Sequence, residues 1–299
     1  MYHRILASRD SGQVFVQPGM YVLAETFHRH AAFLKDNFNI VSLKEMAERI
    51  KTDRDISRCC AITFDDGWKD NFYHAFPVLE KFSLPATIFL ATGFVGTNRL
   101  FWPEELTYYL KRAQEASMQD LPMLDRLTAS RACRDKIGED CLDCLIAELK
   151  TWTSGEREDL LLELRNHVRA DPPERQLMNW EEARQMQESG LVSFGAHTSN
   201  HVILEHVSLQ EAEAEILQNC REMRENLGIH PDFFAYPNGN YTPEIRDMVE
   251  KHGFKGAVTT KKGWIGPGTN MLEIPRIGMH EDVSSTIPLF LARMYLRRF

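Results

Sequence analysis

The sequence predicts an α/β protein built as a (β/α) barrel with a helical insertion. Three observations point there. Short apolar, β-branched runs alternate with segments of helical spacing over most of the chain, the rhythm of βα units around a parallel sheet. The residues with the most chemical potential, Asp65, Asp66, His197, Tyr236, Trp264 and His280, all fall at carboxyl ends of predicted strands. In (β/α) barrels that is the face on which active sites form. Between about residues 98 and 178 the alternation stops and helical patterns dominate, as an insertion into one barrel loop requires.

Taken in order, Tyr2–Leu6 reads as a first strand, with His3 near its carboxyl end as a structural histidine. Phe27, Ala31, Phe33 and Leu34 give Tyr21–Asn37 helical spacing, and Asn39–Val41 is a short strand. Ser42 with Glu45 forms a capping box that opens a helix through Ile50. The strand from Cys59 to Phe64 ends in Asp65-Asp66-Gly67. Asn71–Phe82 is helical in pattern and kinked by Pro77. Ala86–Ala91 is apolar throughout, as a parallel strand covered on both faces should be.

The insertion carries helices over Glu104–Glu115, Cys141–Thr151 and Arg157–Arg169, and Asp171-Pro172-Pro173 closes it. After it come a helix opened by Asn179, the strand Leu191–Ala196, and a helix capped by Ser208 and Glu211 and stopped by Gly228. Asp232–Tyr236, Lys255–Thr259 and Leu272–Met279 are further strands, with a helix from Thr242-Pro243 to Gly253 between the first two. An apolar helix with Arg293, Arg297 and Arg298 ends the chain; packing on the barrel is its simplest role, a peripheral membrane contact the other.

Composition narrows the classes. A chain of 299 residues, 43% hydrophobic, buries a sizeable core without staples. A net charge of −8 argues against a nucleic-acid partner. No signal-like segment and no membrane-spanning run is evident, so a cytoplasmic protein is expected. Six cysteines at 59, 60, 133, 141, 144 and 220 are expected to be reduced; Cys141-x-x-Cys144 with Cys133 lacks the second ligand pair that a zinc clasp needs.

Two strand ends carry chemistry. Adjacent side chains on a strand face opposite ways, so Asp65 and Asp66 converge only where the strand yields to a loop, which Gly67 permits. Two carboxylates there suit a division between metal binding and proton handling; alone, the stretch equally describes a solvated Asp-Asp-Gly turn. At the second strand end, His197 and His201 are four apart, which in one helical turn puts both imidazoles on one side. Together the two ends can supply a His, His, Asp ligand set.

These residues resemble the polysaccharide deacetylases, over nearly the whole chain apart from the insertion. Thr63-Phe64-Asp65-Asp66-Gly67 is similar to the family's first motif, His197-Thr198-Ser199-Asn200-His201 to its second, and Phe234-Ala235-Tyr236-Pro237-Asn238-Gly239 to the third motif of its exopolysaccharide branch. The resemblance implies a distorted, incomplete (β/α)7 barrel. It makes Asp65 the catalytic base and Asp66, His197 and His201 the ligands of a divalent metal, zinc first among the candidates. It makes the Tyr236 backbone N–H an oxyanion donor, with Asn238 and Trp264 binding the sugar. The substrate implied is an amino-sugar-containing saccharide, which loses its N-acetyl group as acetate.

Two departures stand out. Phe233 occupies the place of the arginine that positions the catalytic Asp, and Arg276 in Ile274-Pro275-Arg276-Ile277 is the expected replacement. Lys261-Lys262-Gly263-Trp264 keeps the Trp of the fourth motif without its Asp, which leaves His280 as the expected acid, with His3 next. Three other readings remain open: a facial-triad iron oxygenase, disfavoured by the βα rhythm; a metal- or carbohydrate-binding relative without catalysis; and a deformylase or imide hydrolase on the same fold.

Overall fold

The computed structural model describes residues 1–7, 16–17, 19–118, 121–128, 139–171 and 173–296. Pro172, Cys133, Arg297 and Arg298 lie outside them. The chain divides into two compact units. One comprises Met1–Asp10, Pro18–Thr97 and Arg175–Phe299, the other Ser11–Gln17 and Asn98–Glu174.

The larger unit is organised on a five-stranded, all-parallel sheet, β5(Ile62–Phe64), β6(Ala86–Leu90), β7(Val192–Ala196), β8(Phe233–Ala235) and β9(Gly256–Val258), neighbours in that order. Two small parallel pairs accompany it: β1(Arg4–Leu6) with β2(Tyr21–Leu23), and β3(Asn39–Ile40) with β4(Cys59–Cys60). The helices are α1(Ala24–Asn37), α2(Leu43–Lys51), α3(Phe76–Phe82), α7(Trp180–Glu188), α8(Leu209–Leu227), α9(Pro243–Lys251), α10(Glu281–Ser284) and α11(Ile287–Tyr295). Numbers 4 to 6 belong to the other unit: α4(Trp102–Glu115), α5(Glu139–Leu149) and α6(Ser154–Val168). Phe64, Ile88, Leu90, Phe194, Phe234 and Ala257 are buried in one cluster with helix side chains, which explains why these strands read as continuous apolar runs.

The barrel is half laddered. Tyr2 bridges Phe64 on one edge of the sheet and Ile274 bridges Val258 on the other, both parallel. The predicted strand Leu272–Met279 is therefore present as an extended edge but not as a full ladder. Pro275 has no N–H to give, and the remaining bonds, Ile274 N–H to Ala257 O at 2.8 Å and Arg276 N–H to Lys261 O at 2.9 Å, leave it irregular. Met1 joins the two edges, its amine donating to Ile277 O at 3.0 Å and its carbonyl accepting from Met279 N–H at 2.9 Å.

Local chemistry accounts for most boundaries. Ser42, Asn179 and Ser208 each accept from the backbone N–H three residues on, and Gly228 ends α8 at φ 69°. Two details differ from expectation. The segment from Tyr21 begins with β2 before turning helical, because Tyr21–Leu23 finds β1 as a partner. The kink at Pro77 is a π-helical turn, Asn71–Ala75, in which Phe76 N–H reaches back to Asn71 O. Among the described residues no helix is long and apolar enough to cross a membrane.

The smaller unit has its own core, with Leu106, Leu110, Leu145, Ile146, Leu160 and Leu164 at its centre. Arg157 stacks over Trp102 and donates to Trp152 O at 2.7 Å. Its end falls at Glu174, short of the expected 178: Met178 N–H bonds Gly67 O and Leu177 bridges Trp68, which ties those residues to the larger unit. Cys141 is disulfide-bonded, contrary to the all-reduced expectation, and a sulfur so committed cannot join Cys144 in a clasp. Cys59, Cys60, Cys144 and Cys220 are free thiols.

Candidate active site

β5 delivers the two carboxylates. Its edge is fixed by Asp65 N–H donating to Tyr2 O at 3.0 Å. The chain then reverses through two left-handed residues, Asp66 at φ 75° and Gly67 at φ 83°. Aspartate tolerates that region better than most side chains. Gly67 has no alternative, since a Cβ there would lie 2.6 Å from Leu90 Cδ2. The reversal breaks strand alternation, so both carboxyl groups can serve one site.

β7 delivers the histidines. Gly195, two residues before His197, lies against the Phe89 ring so closely that a Cβ would come within 2.5 Å. The expected helical turn between the histidines is absent: Thr198 and His201 are left-handed, at φ 59° and 53°, and a loop brings the two rings to 4.8 Å between centroids. Asn219 on α8, fully buried, pins that loop. Its amide donates to Thr198 O at 2.5 Å and to Leu90 O at 2.7 Å, joining the ends of β6 and β7.

Asp66, His197 and His201 form the metal-capable group found among the described residues, with ligand atoms within 4.8 Å of one another. Both imidazole Nε2 atoms face the same carboxylate oxygen, Asp66 Oδ1, at 3.3 and 3.4 Å. Donors bonded at about 2.0–2.2 Å to one tetrahedral ion lie about 3.4 Å apart, so the cluster fits a zinc-sized cation. His197 Nδ1 is 2.7 Å from Ala235 O, which fixes its proton there and turns the Nε2 lone pair inward. Trp68 Nε1–H holds Asp66 Oδ2 at 2.8 Å.

The electrostatics agree. Burial alone would raise the Asp66 carboxyl; the His197 hydrogen bond and the charges of His201 and His3 outweigh it and hold the group well below the usual carboxylate range. Burial opposes charge on His197, yet the bond to Asp66 and the carboxylate of Asp65 raise its affinity for a proton. Burial and the neighbouring His197 push His201 down to about 4. A field that favours positive charge beside Asp66, with one imidazole kept neutral, favours a metal cation in the same place.

Asp65 has a different partner. Arg276 donates to Asp65 Oδ1 and Oδ2 through Nη1 and Nη2, both at 2.6 Å, a fork-to-fork pair with both side chains buried. Its Nε–H donates to Thr259 O at 2.9 Å and Nη1 also reaches Thr63 Oγ1 at 3.3 Å. Burial would raise the Asp65 pKa, but the Arg276 charge and hydrogen bonds hold it below its ordinary value.

The other expected residues divide. The Tyr236 N–H is engaged in the sheet, donating to Val258 O at 3.2 Å, so it is not a free oxyanion donor; the Tyr236 ring is buried with its hydroxyl on Leu272 O. Asn238, at φ 57°, donates to Asn240 Oδ1 at 2.5 Å in an exposed turn. Trp264 is 52% exposed and packs on Tyr295 rather than standing over the carboxylates. His280 Nδ1 sits 3.4 Å from Asp282, and burial lowers its pKa, the reverse of the upward shift expected of a proton donor. His3 lies nearer the centre. Tyr2 is in register with Phe64, which sets His3 beside Asp65, and its charge bears on Asp65, Asp66 and His201. Trp68 and Asn219 were not legible as site residues; the only hint for Trp68 is its place two residues after Asp66.

Comparison with known proteins agrees with this geometry. The chain matches the polysaccharide deacetylase family over residues 52–121 and 157–257, more than half its length. YxkH of Bacillus subtilis, assigned to the polysaccharide deacetylases, is 20% identical over 288 residues, covering 96% of this chain and 72% of YxkH. Among solved structures, the Streptococcus pyogenes deacetylase PplD in complex with acetate superimposes with a TM-score of 0.64 at 18% identity, covering 98% of this chain and 96% of PplD. IcaB from Ammonifex degensii gives 0.62 at 19% identity, covering 98% and 94%. With its motifs on the ends of a curled parallel sheet, the chain belongs to the polysaccharide deacetylase family.

Proposed function

We propose that the protein is a metal-dependent amide hydrolase that removes N-acetyl groups from the amino sugars of a poly- or oligosaccharide. The observation that carries this reading is the Asp66, His197, His201 cluster beside a second carboxylate, Asp65, clamped by Arg276. A divalent cation on the cluster, zinc first by donor set, supplies Lewis acidity toward the acyl oxygen and a more acidic water. Asp65 accepts the proton of the attacking water, and Arg276 keeps it ionised and oriented. Each Asp65 oxygen retains a second lone pair after the Arg276 bonds, so the base keeps its acceptor capacity.

The departing amine needs a proton. His3, placed beside Asp65 by the Tyr2–Phe64 register, suits that task better than His280, whose charged form burial disfavours. The acetyl assignment draws support from PplD, solved with acetate bound. The test is acetate release from N-acetylglucosamine oligomers by protein of measured metal content, with chelation and metal restoration. Turnover of N-formyl or cyclic imide substrates alone would replace the deacetylase with a deformylase or imide hydrolase. Bound metal with no turnover on any of these would leave a binding protein.

A further inference from the structure

A half-open cavity of about 360 Å³ lies behind the Asp65–Arg276 pair and takes no part in the chemistry above. Ile62 and Thr63 line it from β5, whereas Asp65 and Asp66 leave the other end of that strand for the active site. Its inner surface includes buried Arg276; exposed Arg58, Trp264 and Tyr295 stand at its solvent side. Protein interiors seldom leave apolar space larger than a water molecule, and this volume is at the lower end of those that hold small ligands, about 300–1,000 Å³.

The lining states what would fit. Met46, Met279 and Met294 contribute thioethers, which adapt to aliphatic shapes. None of the lining residues is Asp or Glu, although the chain has 43 of them and a net charge of −8. Its two charged side chains are both arginines; the Met1 amine, which also lines it, is bonded to Ile277 O at 3.0 Å, and burial pushes it down to about 5, so it is neutral near pH 7. Arg276 is committed to Asp65, and Arg58 has no ion pair among the described residues. At the mouth the Trp264 and Tyr295 rings, 5.3 Å apart, are 52% and 59% exposed. A deep apolar space with one available cation and two open aromatic rings at its entrance matches a hydrocarbon tail that ends in an anion.

We infer that the cavity binds a single-chain anionic amphiphile of the fatty-acid class, its tail inside and its head group on Arg58. The whole protein, titrated calorimetrically with dodecanoate below its micelle concentration, should bind one molecule per chain. Dodecyltrimethylammonium, the same tail under a cationic head, should bind at least about tenfold more weakly, and Arg58→Glu should weaken dodecanoate by a similar factor. Arg58 is exposed, so an unchanged circular dichroism spectrum is expected for that variant. 2-Bromododecanoate should quench tryptophan emission, and the quenching should vanish in Trp264→Phe. The assignment is overturned by no saturable binding, by equal affinity for the two head groups, by indifference to Arg58→Glu, or by quenching that survives Trp264→Phe. Association with phosphatidylglycerol vesicles without binding of monomeric dodecanoate would also overturn it and make this face a bilayer contact.

Discussion

Replacing Arg276 with methionine keeps roughly the side-chain length and removes the only fixed cation bonded to Asp65 among the described residues. Both partners are buried, and two 2.6 Å bonds join them. Breaking such a pair from one side costs about 3–5 kcal/mol, because the remaining charge is left in a poorly solvating interior. For a unit of this size that corresponds to a melting temperature lower by about 10 °C. Asp65 answers by taking up a proton more readily: burial, which raises its pKa, is then opposed chiefly by His197 and His3. The acid limb of the pH–rate profile should therefore move to higher pH, and turnover at its plateau should fall at least about a hundredfold as the base loses its orientation. Arg276→Lys separates the two effects. A lysine restores the charge and returns the acid limb, but it cannot make two parallel bonds plus the bond to Thr259 O, so turnover stays low. Stopped assays of acetate release across pH, with thermal melts, measure both. An Arg276→Met enzyme with unchanged turnover and an unmoved acid limb would show that Arg276 does not set the state of Asp65.

Three further outcomes follow from the site and its surroundings. His197→Ala should lower bound metal at least about tenfold, whereas Asp65→Asn should keep the metal and lose about two to four orders of magnitude in turnover; stoichiometric metal in His197→Ala would dissolve the ligand set. His3→Gln should slow amide substrates strongly and activated aryl acetates little, since an aryloxide leaves without a proton, while His280→Gln should affect neither; the opposite pattern would return the acid to His280. His30 offers a pH test away from the site: its Nε2–H donates to Ser284 O at 2.6 Å, its Nδ1 faces Tyr2 OH at 3.2 Å, and burial holds it down to about 4 against an ordinary 6.5. The unfolded chain then binds the extra proton first, so stability is full above pH 6.5 and declines by about 3 kcal/mol as pH falls toward 4. Urea unfolding at pH 7.5 and 4.5 should show that loss in the wild type and a flatter dependence in His30→Gln; equal slopes would mean that His30 titrates normally.

How much was legible in the sequence depended on whether a signal was local. The capping box at Ser208 is complete within four residues and formed as read, whereas at Ser42 only the half in which the serine accepts from Glu45 N–H formed, Glu45 turning to Arg49 instead. The apolar strands were legible because burial on both faces removes polar residues from them. Contacts made by backbone atoms left no trace: the carbonyl of Ala235 orients His197, and any residue there would offer the same oxygen. The supposed helical turn at His197–His201 failed for a related reason, since spacing alone does not distinguish a helix from a loop with two left-handed residues. Arg276 could be anticipated only as a substitute for the arginine missing at Phe233. The sheet explains how it serves: Ile274 bridges Val258, and that edge carries Arg276 toward Thr63 and Asp65.

The roles proposed for Asp65 and Asp66 raise the question of why two adjacent aspartates would take different tasks. Their partners divide them. Asp65 has both oxygens on a permanent cation, which keeps it ionised and directs its charge toward Arg276, so it makes a poor ligand for a second cation while each oxygen keeps a lone pair able to accept a proton. Asp66 has one oxygen on the neutral indole N–H of Trp68, which fixes its orientation and leaves its charge uncompensated. The other oxygen, Oδ1, faces both histidine nitrogens. An indole orients without neutralising; a guanidinium does both. Trp68 is held in turn by Arg4, stacked 4.4 Å from its ring centroid, and Arg4 is itself paired with Asp70 at 2.8 Å, so the charge on Arg4 is spent before it reaches the cluster. The net negative charge of the site is thereby confined to Asp66, beside two imidazoles, where a divalent ion gains most from it.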